Sequence, residues 1–463
     1  MPDLSRRNFL KTSALLSLGF TGLQALGHPA SSLLRPSQRG YGPLLRDREG
    51  ILDLPRHFSY SVISRQGGRM SDGFFVPGRP DGMATFPSKN GKTLLLRNHE
   101  LDFEMREEGP FGPEQKLLRH APRQRIYDIG PKGIACPGGV TTLVYDTQAQ
   151  RVEDEFLSLS GTLRNCAGGP TPWNSWITCE ETVDTPCVFL SQYHGYNFEV
   201  PASERQSLAE PYPLRDMGRF NHEAVALDPR TGIVYQTEDR SDGLIYRFLP
   251  HEYGKLAKGG RLQALALLDQ PSHDMRNWDE GTYPLFPRQT RFAVRWIDLA
   301  YVDSPADDLR FRGFEQGAAR FARGEGAWFG QGECFFACTN GGPRQQGQIF
   351  RYRPSPFEGS PREREQPGTL ELFVESDTSR MAQFCDNLTI GPCGDLVVCE
   401  DRENARIMGI SLKGEEYVIA ENVGYASEFS GAAFSPDGST LFVNIQHAGL
   451  TLAITGPWAK IHG

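Results

Sequence analysis

A unit about fifteen residues long recurs along this chain, and few folds can absorb such a repeat. Each copy opens on a polar residue beside a short run of small residues. An apolar strand follows, then a turn rich in Pro, Asp or Gly, then a second apolar strand that ends in another polar residue. The clearest copy runs from Asn221-His222-Glu223 through Ala224-Val225-Ala226-Leu227, turns over residues 228–232 and returns through Ile233-Val234-Tyr235-Gln236-Thr237 to Glu238-Asp239. Further copies open at Cys166, Glu325, Asp386 and Glu428, and a weaker one near Met83. Their far ends are Glu181, Asn340, Asp401, Asn444 and Asn98-His99-Glu100. The spacing from opening to closing residue is 15 in most copies and 16 from Glu428 to Asn444.

Two short apolar strands joined by a Gly/Pro turn make a β-hairpin. Six hairpins on a long, irregular period read as blades arranged about an axis. The expected fold is therefore all-β, a six-bladed β-propeller with inter-blade insertions, among them a charged segment over residues 104–137. With 50 glycines and 33 prolines the chain is too turn-rich for a helical bundle. Apolar strand bodies pack between neighbouring blades, which leaves both polar ends of every hairpin at the same end of its blade. Repetition then gathers Glu100, Cys166, Glu181, Glu223, Glu325, Asp401 and Glu428 around one mouth of the central channel. Turns are polar in any fold, but that does not explain why Glu, Asp, Asn or Cys, rather than Ser or Lys, stand at these ends.

Carboxylate and amide oxygens suit hard cations such as Ca²⁺. A thiolate brings in a transition metal, iron or zinc, and Cys166 is the only thiol that opens a unit. Its setting, Asn165-Cys166-Ala167-Gly168-Gly169, lets the backbone turn tightly beside a site. His99 and His222 share the motif Asn-His-Glu and read as hydrogen-bonding supports rather than ligands. Arg323 stands two residues before Glu325, on the same side of a strand, where its planar fork can reach an anion held by the metal of Glu325. Metal ions and an arginine suffice to hydrolyse a phosphoester without a side-chain nucleophile. The sequence has no Gly-x-Ser-x-Gly elbow, Walker loop or dinucleotide fingerprint.

Charge and cysteine content narrow the partners. Lys and Arg number 49 against 57 Asp and Glu, a net charge of −8, so no basic excess exists to neutralise nucleic acid. Nine cysteines cannot all pair within one chain. Cys334 with Cys338 and Cys393 with Cys399 can be disulfides or buried thiols. The N-terminus carries Ser5-Arg6-Arg7-Asn8-Phe9-Leu10-Lys11, a weakly apolar stretch over residues 12–26 and small residues over 27–30. Twin arginines before such a run read as a Tat export signal over residues 1–30. Ser13, Ser17, Gly19, Thr21 and Gly22 interrupt the run, so no stable membrane anchor is expected. Residues 31–463 are then one mature domain, delivered by the Tat machinery to the periplasm or the medium.

Several motifs follow one another in a fixed order: Leu52-Asp53-Leu54-Pro55, Met70-Ser71-Asp72-Gly73, Val76-Pro77-Gly78, Pro80-Asp81-Gly82-Met83, Asn98-His99-Glu100 and Gly138-Gly139-Val140-Thr141-Thr142. Asn165-Cys166-Ala167-Gly168-Gly169, Thr178-Cys179-Glu180-Glu181 and Gly218-Arg219-Phe220-Asn221-His222-Glu223 complete the series. In this order it resembles the PhoX alkaline phosphatase family, over nearly the whole mature chain. The resemblance implies a six-bladed propeller with Fe³⁺ and Ca²⁺ ions at one end of the channel. It also implies alkaline hydrolysis of small-molecule phosphate monoesters after Tat export, and a monomer is expected. By motif match Cys166, Glu223 and Glu325 resemble metal ligands of the family, Glu181 its acidic residue after the Cys motif, and Arg323 its phosphate-binding arginine. Asn98 is expected on the substrate beside Arg323. Glu100, Asp401 and Glu428 rest on the repeat. The chain departs from the family in carrying Gly324 where Pro is expected between Arg323 and Glu325. Two alternatives stand beside this reading: a calcium-dependent propeller lactonase or esterase, and a non-catalytic, metal-stabilised binding propeller.

Overall fold

The computed structural model describes residues 39–278, 284–377 and 381–461. The expected export signal lies outside the described residues. Each hairpin of the repeat extends into an antiparallel meander. Pro80–Pro87, Lys92–His99, Gly138–Asp146 and Arg151–Thr162 form one sheet in chain order, and Asn165–Pro170, Ser175–Glu180 and Asn197–Pro201 form the next. A nine-stranded sheet follows. It runs from His222–Leu227 out to Arg291–Asp298, crosses to Thr369–Glu375, and returns through Gln348–Arg353 and Glu333–Cys338 to Gly324–Gly330. The chain's first strands complete the last two sheets. Leu52–Pro55 extends the sheet that begins at Cys385–Ile390, and Ser59–Arg65 pairs with Leu450–Thr455 in the sheet that begins at Phe429–Phe434.

The first strands of these meanders form a closed ring. Pro80–Pro87 packs against Asn165–Pro170, which packs against His222–Leu227, and so on through Gly324–Gly330, Cys385–Ile390 and Phe429–Phe434 back to Pro80–Pro87. The architecture is thus all-β and propeller-like. Hydrogen bonding yields five sheets rather than six separate blades, because Arg291, Phe292 and Ala293 pair edge to edge with Glu371, Leu370 and Thr369. Tight contact between the ring strands requires small residues. A Cβ added to Gly82 would lie 2.6 Å from Cα of Ala167, and one added to Gly326 would lie 2.6 Å from the carbonyl oxygen of Asp386.

The apolar core sits between adjacent sheets. Met83, Leu95, Leu143 and Tyr145 of one sheet meet Ala433, Phe442 and Ala453 of its neighbour, and Ile177 and Cys179 meet Val225, Leu227 and Val234. The charged segment over residues 104–137 departs from expectation. It joins Lys92–His99 to Gly138–Asp146, two strands paired along their whole length, so it interrupts a single sheet rather than separating two blades. Its Phe111, Leu118 and Ile126 pack with Met70, Val76 and Leu157 against the outer strand of that sheet. All nine cysteines are free thiols in this structure, including Cys334, Cys338, Cys393 and Cys399. Among the described residues no helix is long and apolar enough to cross a membrane.

Candidate metal centre

Every ring strand breaks its pairing register at the same place. The shifts fall between Pro80 and Met83, Asn165 and Gly168, His222 and Val225, Gly324 and Ala327, Cys385 and Leu388, and Ser430 and Ala433. A β-bulge re-aims the side chains it carries. At five of these bulges the first extra residue is Asp81, Cys166, Glu223, Glu325 or Asp386; at the sixth it is Gly431. A second tier comes from the far ends of the hairpins. The N–H groups of Glu100, Glu181, Asp239 and Asp401 donate to the carbonyl oxygens of Arg79, Arg164, Asn221 and Phe384, each two residues before its bulge residue. Thr339 and Gln446 make the equivalent bond to Arg323 and Glu428.

These two tiers converge into overlapping ligand groups. Asp81 with Glu100 and Cys166, Cys166 with Glu181 and Glu223, and Glu223 with Glu325 and Asp386 each bring their donor atoms within 4.8 Å of one another. Glu223 is fully buried, and neither of its carboxylate oxygens has a hydrogen-bond partner among the described residues. Oδ1 of Asp81 is likewise buried and unpartnered. A buried carboxylate without a partner is costly unless a cation or a proton satisfies it. Burial first, then neighbouring acids, pushes Glu181, Glu223, Glu325 and Asp386 well above the ordinary carboxylate range. Asp81 rises to about 8, from burial and then the Glu100 charge. Burial and Asp81 raise the Cys166 thiol in the same way. Six acids and a thiol therefore compete for positive charge in one cluster, a donor set that fits several metal ions.

The groups open onto a cavity of about 270 Å³. Arg323 lies on its wall, with its guanidinium 2.8 and 2.9 Å from the two Asp239 oxygens and 2.7 Å from Glu325. Arg164 bridges Glu100 at 2.8 Å and also contacts Glu181. Arg79 lines the same cavity and makes no salt bridge among the described residues. These three arginines occupy equivalent positions, two residues before Asp81, Cys166 and Glu325. All three hold left-handed backbone, with φ of 46°, 43° and 50°. Such strain in non-glycine residues concentrates at functional sites.

The structure brings Cys166, Glu181, Glu223, Glu325 and Glu100 into the ligand groups. Asp401 and Glu428 line the cavity but belong to none of the three groups. Burial and the Asp401 carboxyl raise Glu428 to about 12. Asn98 does not reach the cavity. It is fully buried, donates to the carbonyl oxygens of Cys166 and Ala167 at 2.9 and 2.7 Å, and accepts from Trp176 Nε1 at 2.8 Å, so every polar atom is spent behind the ligands. His99 bonds the carbonyl oxygen of Gly78 and the hydroxyl of Thr141, both at 2.9 Å, which fixes the backbone leading into Arg79. His222 bonds the carbonyl oxygen of Gly218 at 3.0 Å and stacks on Phe220. Sequence reasoning overlooks Asp81, Asp239, Arg79 and Arg164, and assigns Asp386 no ligand role. The bulge holds the signal: Asp81 and Glu100 stand where Cys166 and Glu181 stand, but 19 residues apart rather than 15, so a fixed spacing passes over Asp81.

The profile described as alkaline phosphatase PhoX matches residues 39–449. The chain belongs to the PhoX alkaline phosphatase family. Its activity is accordingly that of a phosphomonoesterase, and its cluster of acids is the counterpart of a metal-dependent site. Among solved structures, Pseudomonas fluorescens PhoX in complex with vanadate, a transition state analogue, is similar at 18% identity. That match covers 88% of this chain and 96% of that one, with a TM-score of 0.61, and supports the PhoX fold. A gluconolactonase from Xanthomonas campestris is similar at 11% identity over 92% of this chain and 99% of that one, with a TM-score of 0.40, too distant to bear on function. No curated protein matches the chain in sequence.

Proposed function

We propose that the bulge-borne acids and Cys166 hold Fe³⁺ and Ca²⁺ ions and that this centre hydrolyses small-molecule phosphate monoesters, with Arg323 on the phosphate. The observation that carries the reading is the bare Glu223 carboxylate, buried in ligand groups shared with Cys166 and Glu325, both of which line an arginine-walled cavity. Cys166 stands in both the Asp81/Glu100 group and the Glu181/Glu223 group, so its sulfur, as thiolate, would be the donor that holds iron. Glu325 and Asp386, with oxygen donors only, suit calcium. When bound, the ions polarise a phosphoryl oxygen and supply a nucleophilic oxygen at neutral to alkaline pH.

The chain's own residues do the rest. Asp239 takes the Nε/Nη2 edge of the Arg323 guanidinium, which fixes the group and leaves Nη1 to donate to a phosphate oxygen without reorganising. Arg164, tied to Glu100 and Glu181, keeps two ligands oriented and adds positive potential at the rim. Arg79, with no carboxylate to satisfy, is available to a second phosphate oxygen.

The nine-stranded sheet is read here as two blades joined at their outer edges, which gives six in all. Residues 31–463 are then one domain, a monomer released by Tat export from its signal over residues 1–30. Phosphate release from an aryl phosphate monoester, alcohol release from a diester and ring opening of a lactone panel, on one metal-loaded sample, test the activity. Monoester turnover inhibited by vanadate is expected; lactone opening alone overturns the reading. Cys166→Ser is expected to remove iron while sparing the fold. Unchanged iron content refutes the thiolate assignment.

A further inference from the structure

A second cluster of ligand-type side chains lies outside the cavity. Asp128, Cys136 and His194 bring a carboxylate oxygen, a thiol sulfur and an imidazole nitrogen within 4.8 Å of one another, and none of the three is exposed to solvent. The imidazole is oriented from behind. Nδ1 of His194 lies 2.6 Å from Glu180 Oε1, and Nε2 faces Asp128 at 3.3 Å. Glu180 is itself held by the N–H groups of Leu163 at 3.0 Å and Gly195 at 2.9 Å. A carboxylate on one ring nitrogen that leaves the other to face further donors is the support found behind metal-bound histidines.

The surroundings give such a site a purpose. Asp128 and Cys136 lie on the segment over residues 104–137, which has only short 3₁₀ turns, and His194 lies on the strandless stretch over residues 181–196. Their shared apolar cluster is small, with Cys136, Leu163 and Leu190 buried and Phe103 packed against them. Two loops that share so little apolar contact gain most from an ion that binds only the folded form. Glu180 also immediately precedes Glu181, so this cluster backs the wall of the cavity.

We propose that Asp128, Cys136 and His194 form a structural zinc site that staples these two loops together behind the Glu181 wall. The donors are one sulfur, one nitrogen and one Asp128 oxygen, a mixed set that suits zinc better than calcium, and the N–H groups of Ser191 and Gln192 hold the Asp128 carboxylate in place. Binding releases the Cys136 thiol proton and the Nε2 proton of His194 to solvent, so the sulfur enters as a thiolate and the imidazole as a neutral donor. Nothing in the proposal depends on which metals the cavity holds.

The test is anomalous diffraction on crystals of the unmutated, metal-loaded protein, recorded above and below the zinc absorption edge. A difference peak between Sγ of Cys136, Nε2 of His194 and the Asp128 carboxylate is expected; its absence overturns the proposal. Metal analysis gives a second measurement in solution. Zinc is expected at about one per chain, unchanged in Cys166→Ser and lost in Cys136→Ala. Retention of that zinc in folded Cys136→Ala also overturns the assignment.

Discussion

The side-chain amide of Asn98 donates to the carbonyl oxygen of Cys166 at 2.9 Å, tying the second strand of one sheet to the bulge of the next. Its second bond, to Ala167, doubles the clamp. Asn98→Leu would leave two buried carbonyls unsatisfied, each at about 1–3 kcal/mol. The expected result is a lower melting temperature and reduced iron occupancy, with phosphate affinity unchanged in whatever fraction keeps its metals. Weakened phosphate binding at full metal occupancy would instead put Asn98 on the substrate.

Arg323 and Arg79 differ in how they are held. Arg323 is fixed by Asp239 and Glu325, whereas Arg79 makes no salt bridge among the described residues. Pre-set charge contributes most to a developing anion, so Arg323→Ala is expected to cost about 10²–10³-fold in kcat/KM. Arg79→Ala is expected to cost about tenfold and to weaken vanadate inhibition in proportion. Steady-state kinetics with vanadate titration separates the two. Equal, small losses would remove Arg323 from the phosphate.

Much of this site is legible in the sequence because hairpins are local. Glu223 to Glu238 and Cys166 to Glu181 are set by strand length and turn chemistry, which one sequence displays. What is not legible is the bulge. Counting the first copy from Met83 places it two residues late, so Asp81 escapes notice, and nothing in the sequence marks Gly82 as room for Ala167. Asn98 misleads for a different reason: standing two residues before Glu100 it should share that residue's face, yet it lies deeper, covered by the backbone of Cys166 and Ala167 and by Trp176 of the neighbouring sheet. The edge-to-edge pairing of Phe292 with Leu370 depends on contacts far apart in sequence and leaves no local mark.

The ring's tightness is itself testable at Gly82, where a Cβ would meet the Ala167 backbone at 2.6 Å. Backbone cannot swing aside as a flexible side chain can. Gly82→Ala is expected to destabilise by about 1–3 kcal/mol through overpacking. A lower urea midpoint with an unchanged slope reports that loss. Because the push falls beside Cys166, iron affinity should fall with it. A midpoint equal to that of the parent protein would mean that the ring strands are not in contact there.

Stability without metals should depend steeply on pH. In the metal-free protein burial raises Asp81 to about 8 and lifts Glu181, Glu223, Glu325 and Asp386 well above their unfolded values. The folded form therefore binds more protons than the unfolded one, and each extra proton costs about 1.4 kcal/mol per pH unit as pH rises. This contribution is fully present below the unfolded carboxylate values near ~4. It is lost progressively as pH climbs, through about 8 for Asp81 and beyond for the others. Chelated protein should thus melt at a markedly lower temperature at pH 9 than at pH 6. Metal-loaded protein should show little of that slope, because cations then take the place of the protons. Thermal melts at the two pH values, with and without chelator, make the comparison. A chelated melting temperature that holds steady, or rises, between pH 6 and 9 would mean that these acids are not packed together as charge-starved ligands.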